Sequence, residues 1–219
     1  VRDATFVQFP LPGLNQFDFT ALNSSVRVET FFMTPALRKA VDPSRISYLP
    51  MQMRYVYEYL RRSPLDYTLV QVARDREGQL RLGPNADFFD AVCESAKIVV
   101  AELNEGFVAA AGAPLVPETS IDYVVETDRP LTKMSLSKID PVSERIGALV
   151  AALIGDGDCI QTGIGAIPAA ILASLSQHND LGLHGGLIDD GGMALVRNGN
   201  LNGAAKTIRP RKRNWRLHF

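Results

Sequence analysis

The chain of 219 residues is 46% hydrophobic and almost neutral, with 23 basic and 24 acidic side chains. A chain of this length can bury one large core or two modest ones, and its balanced charge argues against nucleic acid or an anionic membrane as a partner. Both cysteines, Cys93 and Cys159, lie in apolar segments, which excludes a disulfide scaffold and favours a reduced, cytoplasmic protein. The longest apolar run, residues 146–155, is too short to span a bilayer, and residues 1–10 lack the apolar region of a signal peptide.

Strands and helices are predicted to alternate along the first part of the chain. Strand composition marks the ranges 26–33, 46–50, 65–73, 97–103 and 121–127, and helical patterns mark the ranges 36–41, 53–62 and 87–96. The run 65–73 is apolar and rich in β-branched residues, which is typical of a strand buried on both faces of a parallel sheet. Residues 74–83 indicate a turn with a short strand behind it. The alternation predicts an α/β fold with a mainly parallel sheet.

A polar stretch that contains proline, residues 128–140, is predicted to be a linker between two domains. Residues 1–127 are expected to form the N-terminal domain, and residues 141–208 begin a second one with an apolar helical pattern from Val142 to Leu153. Only two or three strands follow, too few for an independent sheet, so the second domain is expected to be incomplete. Residues 209–219 are basic and are expected to form a disordered tail; a nucleic-acid-binding arm is the alternative, without a supporting fold.

The stretch 163–168, Gly-Ile-Gly-Ala-Ile-Pro, lies between a predicted strand and an apolar helix. Glycines at such a turn let the backbone approach a ligand, and the free N–H groups of the first helical turn can hold an anion or a developing oxyanion. A plain strand–helix turn is the alternative. A dinucleotide-binding fingerprint fits poorly because Pro168 stands where the third glycine belongs, so a nucleotide-binding oxidoreductase is disfavoured.

A second glycine-rich turn follows the strand that ends near His184. His184 is a candidate base, although a histidine at a strand end is more often structural. Asp189 and Asp190 are candidate bases or metal ligands, but adjacent carboxylates in a glycine loop are commonly turn residues and helix caps. The histidines and cysteines do not have the spacing of a metal site, so no metal is predicted.

Several segments, spread from about Val26 to Ile208, resemble the acetyl-CoA hydrolase/transferase family, a group of family I CoA-transferases that includes 4-hydroxybutyrate CoA-transferase. They are TPALRKAV (34–41), SAKIVVAELNE (95–105), SIDYVVETDRPL (120–131) and IQTGIGAIPAAILASLSQHNDLGLH (160–184). The resemblance implies two CoA-transferase-type α/β domains with mainly parallel sheets, the second one incomplete. It also implies that the chain is a fragment that lacks the family's opening strand–helix unit and its later strands.

The resemblance further implies the chemistry of acyl transfer. In the family a glutamate attacks an acyl-CoA, and the CoA then passes to an acceptor carboxylate through a covalent intermediate. The residues that match the family's CoA and oxyanion loop are Gln161, Gly163, Gly165, Ala166, Ile167 and Pro168. Coenzyme A is therefore expected as a substrate, with no permanently bound cofactor. The expected partners are an acyl-CoA and a small carboxylate, and the full-length form is expected to be a homo-oligomer.

One departure from the family pattern concerns the nucleophile. Where the family carries histidine, serine or threonine, glutamate and methionine, this chain has His184, Gly185, Gly186 and Leu187. Gly186 therefore occupies the position of the glutamate and cannot form the covalent intermediate. Two hypotheses follow. The first is an acyl-CoA transferase or hydrolase, where the missing glutamate favours hydrolysis by a water molecule that His184 or Asp189 activates. The second is a non-catalytic CoA-binding relative that has lost the nucleophile.

Overall fold

The computed structural model describes residues 1–10, 15, 17–40, 42–133 and 138–207. These residues divide into two units, residues 1–133 and residues 138–207. The bounds of the linker, 128–140, stay a prediction because residues 134–137 lie outside the described ranges, as does the predicted basic tail 209–219. Among the helices within those ranges, none combines the length and hydropathy needed to cross a lipid bilayer.

The first unit contains two sheets and three short helices. Its strands are β1 (Thr5–Gln8), β2 (Arg27–Thr30), β3 (Ile46–Tyr48), β4 (Leu65–Arg74), β5 (Leu80–Leu82), β6 (Ala96–Asn104) and β7 (Tyr123–Thr127). Its α-helices are α1 (Pro35–Arg38), α2 (Met53–Arg62) and α3 (Phe89–Ser95), and three-residue to four-residue 3₁₀ turns lie at Phe19–Leu22, Pro43–Arg45 and Glu118–Ser120. The prediction of a mainly parallel α/β fold is confirmed, since most strand pairs in both sheets are parallel.

Strands β1, β2 and β3 form a parallel three-stranded sheet in chain order. The sequence patterns do not predict β1, and they extend β2 too far, to residue 33. Helices α2 and α3 pack beside this sheet through Phe31, Val56, Leu60 and Ala91, which are buried together. Phe9 adds an edge-on contact with Phe88, at 5.0 Å between ring centroids.

The larger sheet has the strand order β5-β4-β6-β7, in which only β5 is antiparallel. One buried side chain, Asp75, organises the turn of the β4–β5 hairpin. Its Oδ1 accepts hydrogen bonds from the N–H groups of Glu77, at 3.0 Å, and Gln79, at 2.9 Å, and its Oδ2 accepts one from Arg81. The hydrogen bond from Arg81 is the main reason that the pKa of Asp75 is lowered from its ordinary value.

One face of this sheet is covered and the other is exposed. The covered face contributes Val72, Ala101 and Leu103 to a hydrophobic core. On the other face Tyr67 and Leu69 are 64% and 71% exposed, and Tyr123 of β7 is 61% exposed. The prediction that β4 is buried on both faces is therefore wrong, because Tyr67 and Leu69 on one of its faces are exposed.

The second unit is a two-stranded parallel sheet with three helices. Its elements are α4 (Pro141–Ala151), β8 (Cys159–Ile160), α5 (Ala166–Ala173), β9 (Gly182–Leu183) and α6 (Asp190–Asn198). The core of the unit lies on one side of the sheet, where Leu172, Leu175, Leu183 and Leu195 are buried together. The pair of strands agrees with the small strand number that the sequence predicts, and Leu181 adds a single bridge to Leu201.

Helices α4 and α5 approach each other closely at Gly147. Asp140 caps the start of α4, where its Oδ1 accepts hydrogen bonds from the N–H groups of Val142 and Ser143, both at 2.9 Å. A Cβ atom placed on Gly147 would lie 2.6 Å from the carbonyl carbon of Ala170 in α5. Only glycine fits at this crossing, and the crossing fixes the position of α5 and of the loop that precedes it.

Candidate functional site

The glycine-rich loop forms the amino-terminal end of α5. Gly165 is the N-cap and has φ +134°, a backbone conformation that residues with a Cβ rarely adopt. Pro168 has no N–H, and the N–H of Ala169 donates to the carbonyl oxygen of Gly165 at 3.2 Å. The N–H groups of Ala166 and Ile167 therefore have no partner inside the helix and are the donors that this end of α5 offers to a ligand.

The parallel pairing of β8 with β9 brings the two glycine-rich turns to the same edge of the sheet. Cys159 pairs with Gly182 and Ile160 with Leu183, and the N–H of His184 donates to the carbonyl oxygen of Ile160 at 3.0 Å. One residue further along, Gln161 lies beside Gly185: a Cβ on Gly185 would be 3.4 Å from Cγ of Gln161. Ligands of parallel α/β sheets bind at this edge, beyond the carboxyl ends of the strands.

The candidate bases occupy different environments. His184 is exposed at the end of β9. Asp189 is half-buried and is the N-cap of α6, where its Oδ1 accepts a hydrogen bond from the N–H of Gly192 at 2.9 Å. Within the described residues, neither side chain makes a hydrogen bond to the loop 163–168. The structure thus leaves His184 free to contact a ligand and gives Asp189 a structural role that the sequence allows.

Position 186, where the resemblance leads us to expect the family's glutamate, is accessible. Gly186 is exposed, three residues beyond the end of β9 at Leu183. The described glycines with a positive φ are Gly78, Gly157, Gly165, Gly199 and Gly203, and Gly186 is not one of them. A side chain at position 186 would therefore meet no penalty from a left-handed backbone.

A shallow cavity of about 220 Å³ lies between the loop and α4. Gln161, Thr162, Gly163 and Pro168 line it on the loop side, and the remainder is apolar: Val150, Ile154, Ile160 and Ile171. A cavity with a mainly apolar wall suits an apolar part of a ligand better than a bare ion. Within the described ranges no three His, Cys, Asp or Glu side chains cluster as metal ligands.

In the first unit, a polar cluster lies at the carboxyl ends of β6 and β7. Arg129 donates to both oxygens of Glu102, from Nε at 2.5 Å and from Nη2 at 2.7 Å, and Thr127 donates at 2.8 Å. The hydrogen bond from Arg129 is the main cause that lowers the pKa of Glu102 to about 2. The sequence patterns do not identify these residues; the available signal is that Glu102 lies near the end of a parallel strand.

The chain segment that carries Arg129 is anchored by Asn104, which is fully buried. Its Nδ2 donates to the carbonyl oxygen of Arg129 at 3.0 Å, and its Oδ1 accepts from the N–H of Gly106 at 2.7 Å. A Cβ on Gly106 would lie 2.8 Å from the carbonyl oxygen of Asp128. The chain after β7 therefore passes too close to Gly106 for any larger residue, which fixes the orientation of Arg129.

Comparisons with known proteins agree with this architecture. The family model described as the acetyl-CoA hydrolase/transferase N-terminal domain matches residues 5–134. The chain is 34% identical over 203 residues to 4-hydroxybutyrate coenzyme A transferase of Clostridium kluyveri, covering 91% of this chain and 47% of that protein. It is 31% identical over 200 residues to the succinyl-CoA:acetate/propanoyl-CoA:succinate CoA transferase of Fasciola hepatica, covering 90% of this chain and 42% of that protein.

A solved structure shows the same fold. The crystal structure of 4-hydroxybutyrate CoA-transferase from Porphyromonas gingivalis is 29% identical and superposes with a TM-score of 0.75, over 96% of this chain and 57% of that one. The chain spans about half the length of the curated relatives it matches. The family match covers more than half of the residues, and together with these relatives it identifies the chain as a member of the acetyl-CoA hydrolase/transferase family.

Proposed function

We propose that this chain binds CoA thioesters of small carboxylic acids and takes part in their transfer or hydrolysis. The observation that carries the proposal is the loop 163–168, where the N–H groups of Ala166 and Ile167 lie at the edge of the β8–β9 sheet next to Gln161 and the end of β9. Two N–H donors at a helix terminus suit the carbonyl oxygen of a thioester, which becomes more negative as a nucleophile attacks. The names of the relatives, which are CoA transferases, support this choice of substrate.

The nucleophile is the point on which transfer and hydrolysis differ. Transfer through a covalent intermediate needs a carboxylate at position 186, and Gly186 supplies none. Hydrolysis needs only a water molecule and a base. His184 is the better candidate for that base, because it is exposed at the strand end whereas Asp189 already caps α6. An acyl-CoA is a substrate in both reactions, so no resident cofactor is required.

The second candidate function is binding without catalysis. The glycine at position 186 favours it, because a relative that keeps the CoA loop and lacks the glutamate retains the binding energy but not the covalent chemistry. In either case we propose a cytoplasmic protein whose partners are an acyl-CoA and a small carboxylate. We also propose homo-oligomerisation of the full-length form, and two domains divided within residues 128–140.

Calorimetry with acetyl-CoA tests the binding half of the proposal. Gly165→Ala forces φ +134° on a residue with a Cβ, and we expect acetyl-CoA binding to weaken by about tenfold, since such backbone strain costs roughly 1–3 kcal/mol. Gly199→Ala is the matched control: it lies in the same unit, has φ +87° at the end of α6, and has nothing within 4 Å of the added methyl group. Equal weakening by both variants would contradict a role for the loop.

Thiol release from acetyl-CoA separates the two candidate functions. Hydrolysis predicts steady release of free CoA at saturating acetyl-CoA, and this rate should fall in the His184→Gln variant. Binding without catalysis predicts affinity without release. If the chain neither binds nor cleaves acetyl-CoA, propanoyl-CoA or succinyl-CoA, the proposed function is wrong.

A further inference from the structure

Lys206 is a buried lysine whose side chain crosses the β8–β9 sheet. It is only 6% exposed. A Cβ on Gly182 would lie 2.5 Å from Cγ of Lys206 and 3.1 Å from its Cδ, so the stem of the lysine passes directly over the strand at Gly182. This face of the sheet also carries Cys159, the partner of Gly182 in the strand register, whereas the helices and the core lie behind Ile160 and Leu183.

The ammonium group of Lys206 has a hydrogen-bond acceptor but no counter-charge among the described residues. Nζ donates to the carbonyl oxygen of Leu183 at 2.9 Å. Within the described residues no carboxylate lies within 4 Å of it. A buried charge is unfavourable unless it is paired, so the site favours an anion from outside the chain.

A cavity lies next to this lysine. Its volume is about 370 Å³, and it is lined by Cys159, His184, Ala205, Lys206 and Thr207. His184, Thr207 and Lys206 carry side chains that can donate hydrogen bonds, and none of the described residues that line the cavity is acidic. The cavity is distinct from the one beside α4, which has a mainly apolar wall.

We propose that this cavity is an anion-binding site in which Lys206 supplies the charge and His184 and Thr207 supply further hydrogen bonds. The chemical class of the ligand is a carboxylate or a phosphate group. Whether that group belongs to an acceptor acid or to CoA rests on the proposed function, but the existence of the site does not. Because His184 lines this cavity and also lies two residues before Gly186, a carboxylate bound here is close to the edge at which a thioester would react.

Alkylation of Cys159 gives a direct readout of occupancy. Cys159 is exposed and lines the cavity, whereas burial raises the pKa of Cys93 to about 11, which keeps that thiol almost unreactive near neutral pH. Iodoacetamide is neutral, so its approach is not altered by charge screening. The rate of carbamidomethylation at Cys159 is measured by peptide mass spectrometry with acetate, inorganic phosphate or CoA, against sodium chloride at equal ionic strength.

We expect a bound anion to slow alkylation of Cys159 by about tenfold at ten times its Kd, by mass action. Protection by acetate assigns the site to a carboxylate, and protection by phosphate and CoA but not acetate assigns it to a phosphate group. In Lys206→Met, which keeps the stem and removes the charge, protection should disappear. Lys97→Met is the control, because Lys97 is exposed and paired with Asp66 in the other unit. In this variant the anions should protect Cys159 as well as they do in the wild type.

The proposal is overturned if none of the three anions slows alkylation of the wild-type chain, or if Lys206→Met is protected as well as the wild type. The first result needs no variant, so the test holds even if Lys206→Met fails to fold, which circular dichroism would reveal. Failure of the proposed function is a different outcome: the chain would then show acetate or phosphate protection at Cys159 without binding acetyl-CoA in calorimetry.

Discussion

Gly147→Ala tests whether the crossing of α4 and α5 holds the candidate site in place. By helix propensity alone, alanine at this position should stabilise α4 by about 1 kcal/mol. The structure predicts that alanine at this position destabilises the unit instead. The added Cβ would lie 2.6 Å, 2.7 Å and 2.9 Å from the carbonyl carbon, carbonyl oxygen and Cβ of Ala170, and two of these three atoms belong to the backbone.

The size of the destabilisation follows from the distance by which α5 must move away from α4. An ordinary carbon–carbon separation is about 3.5 Å or more, so the helices must part by roughly 1 Å. Overpacking of this kind costs up to about 3 kcal/mol, and the gain in propensity offsets about 1 kcal/mol of it. The net loss of about 2 kcal/mol corresponds to a roughly thirtyfold larger population of locally opened α5.

Hydrogen exchange read by mass spectrometry measures this opening separately in each unit. Peptides that cover α4 and α5 should exchange about thirtyfold faster in Gly147→Ala, while peptides from the first unit should be unchanged. Ala148→Gly, on the exposed side of the same helix, calibrates propensity and should cost about 1 kcal/mol. If Gly147→Ala exchanges at the wild-type rate or more slowly, the close approach of the two helices does not limit stability and the reasoning fails.

Three further predictions concern chemistry, pH and association. Gly186→Glu supplies the missing carboxylate, so acetyl-CoA should leave a covalent CoA adduct on it in intact-mass spectra, but none on Gly186→Gln or the wild type; a wild-type adduct would place the nucleophile elsewhere. Because the pKa of Glu102 is lowered to about 2, mainly by Arg129, its stabilisation is complete above the ordinary value of 4.5 and is lost as pH falls toward 2. Glu102→Gln should flatten the loss of stability in that interval, and an unchanged acid-unfolding curve would refute the assignment. Leu69→Lys should reduce concentration-dependent self-association in sedimentation, because Leu69 is 71% exposed on an apolar sheet face; identical sedimentation of both chains would argue against that face.

The sequence predicts those elements whose local signals and tertiary environment agree. Helix α2 begins and ends at the predicted residues, Met53 and Arg62, because Pro64 prevents its continuation and its apolar positions follow the helical repeat. Strands β4 and β6 are long β-branched runs, and they were placed to within a residue or two. Strand β1 gives no such signal, since its four residues form only by pairing with β2.

Helix α6 is missed because its glycines give a misleading local signal. Gly191 and Gly192 indicate a turn, yet both lie inside the helix. A Cβ on Gly191 would lie 3.1 Å from Cβ of Leu172, and one on Gly192 would lie 3.0 Å from Cγ1 of Ile188. These glycines allow close packing of α6, and the residue that packs against Gly191 is distant in the sequence. For the same reason Asp189 is better explained as the cap of that helix than as a base.

The candidate site likewise has a part that could be predicted from the sequence and a part that could not. The loop 163–168 could be predicted because the glycines, the proline and the helix are contiguous in the sequence. Lys206 could not, because its burial depends on Gly182, which lies in β9, 24 residues earlier, and leaves room for the lysine stem. The orientation of Arg129 likewise depends on Asn104 and Gly106, which precede it by a whole strand and its connection.

The parallel pairing of β4 with β6 also has a consequence for how the chain folds. The β4–β5 hairpin joins Arg74 to Leu80 and is the most local contact of the larger sheet, whereas Leu65 must find Ala96 and Val100 must find Tyr123. Loop closure becomes more costly in entropy as the separation grows, so the hairpin should form first and the β4–β6 pairing last. Pulsed hydrogen exchange during refolding would follow this order. Until β4 meets β6, both strands present unpaired apolar edges, and this interval is when the nascent chain is most open to pairing with another copy of itself.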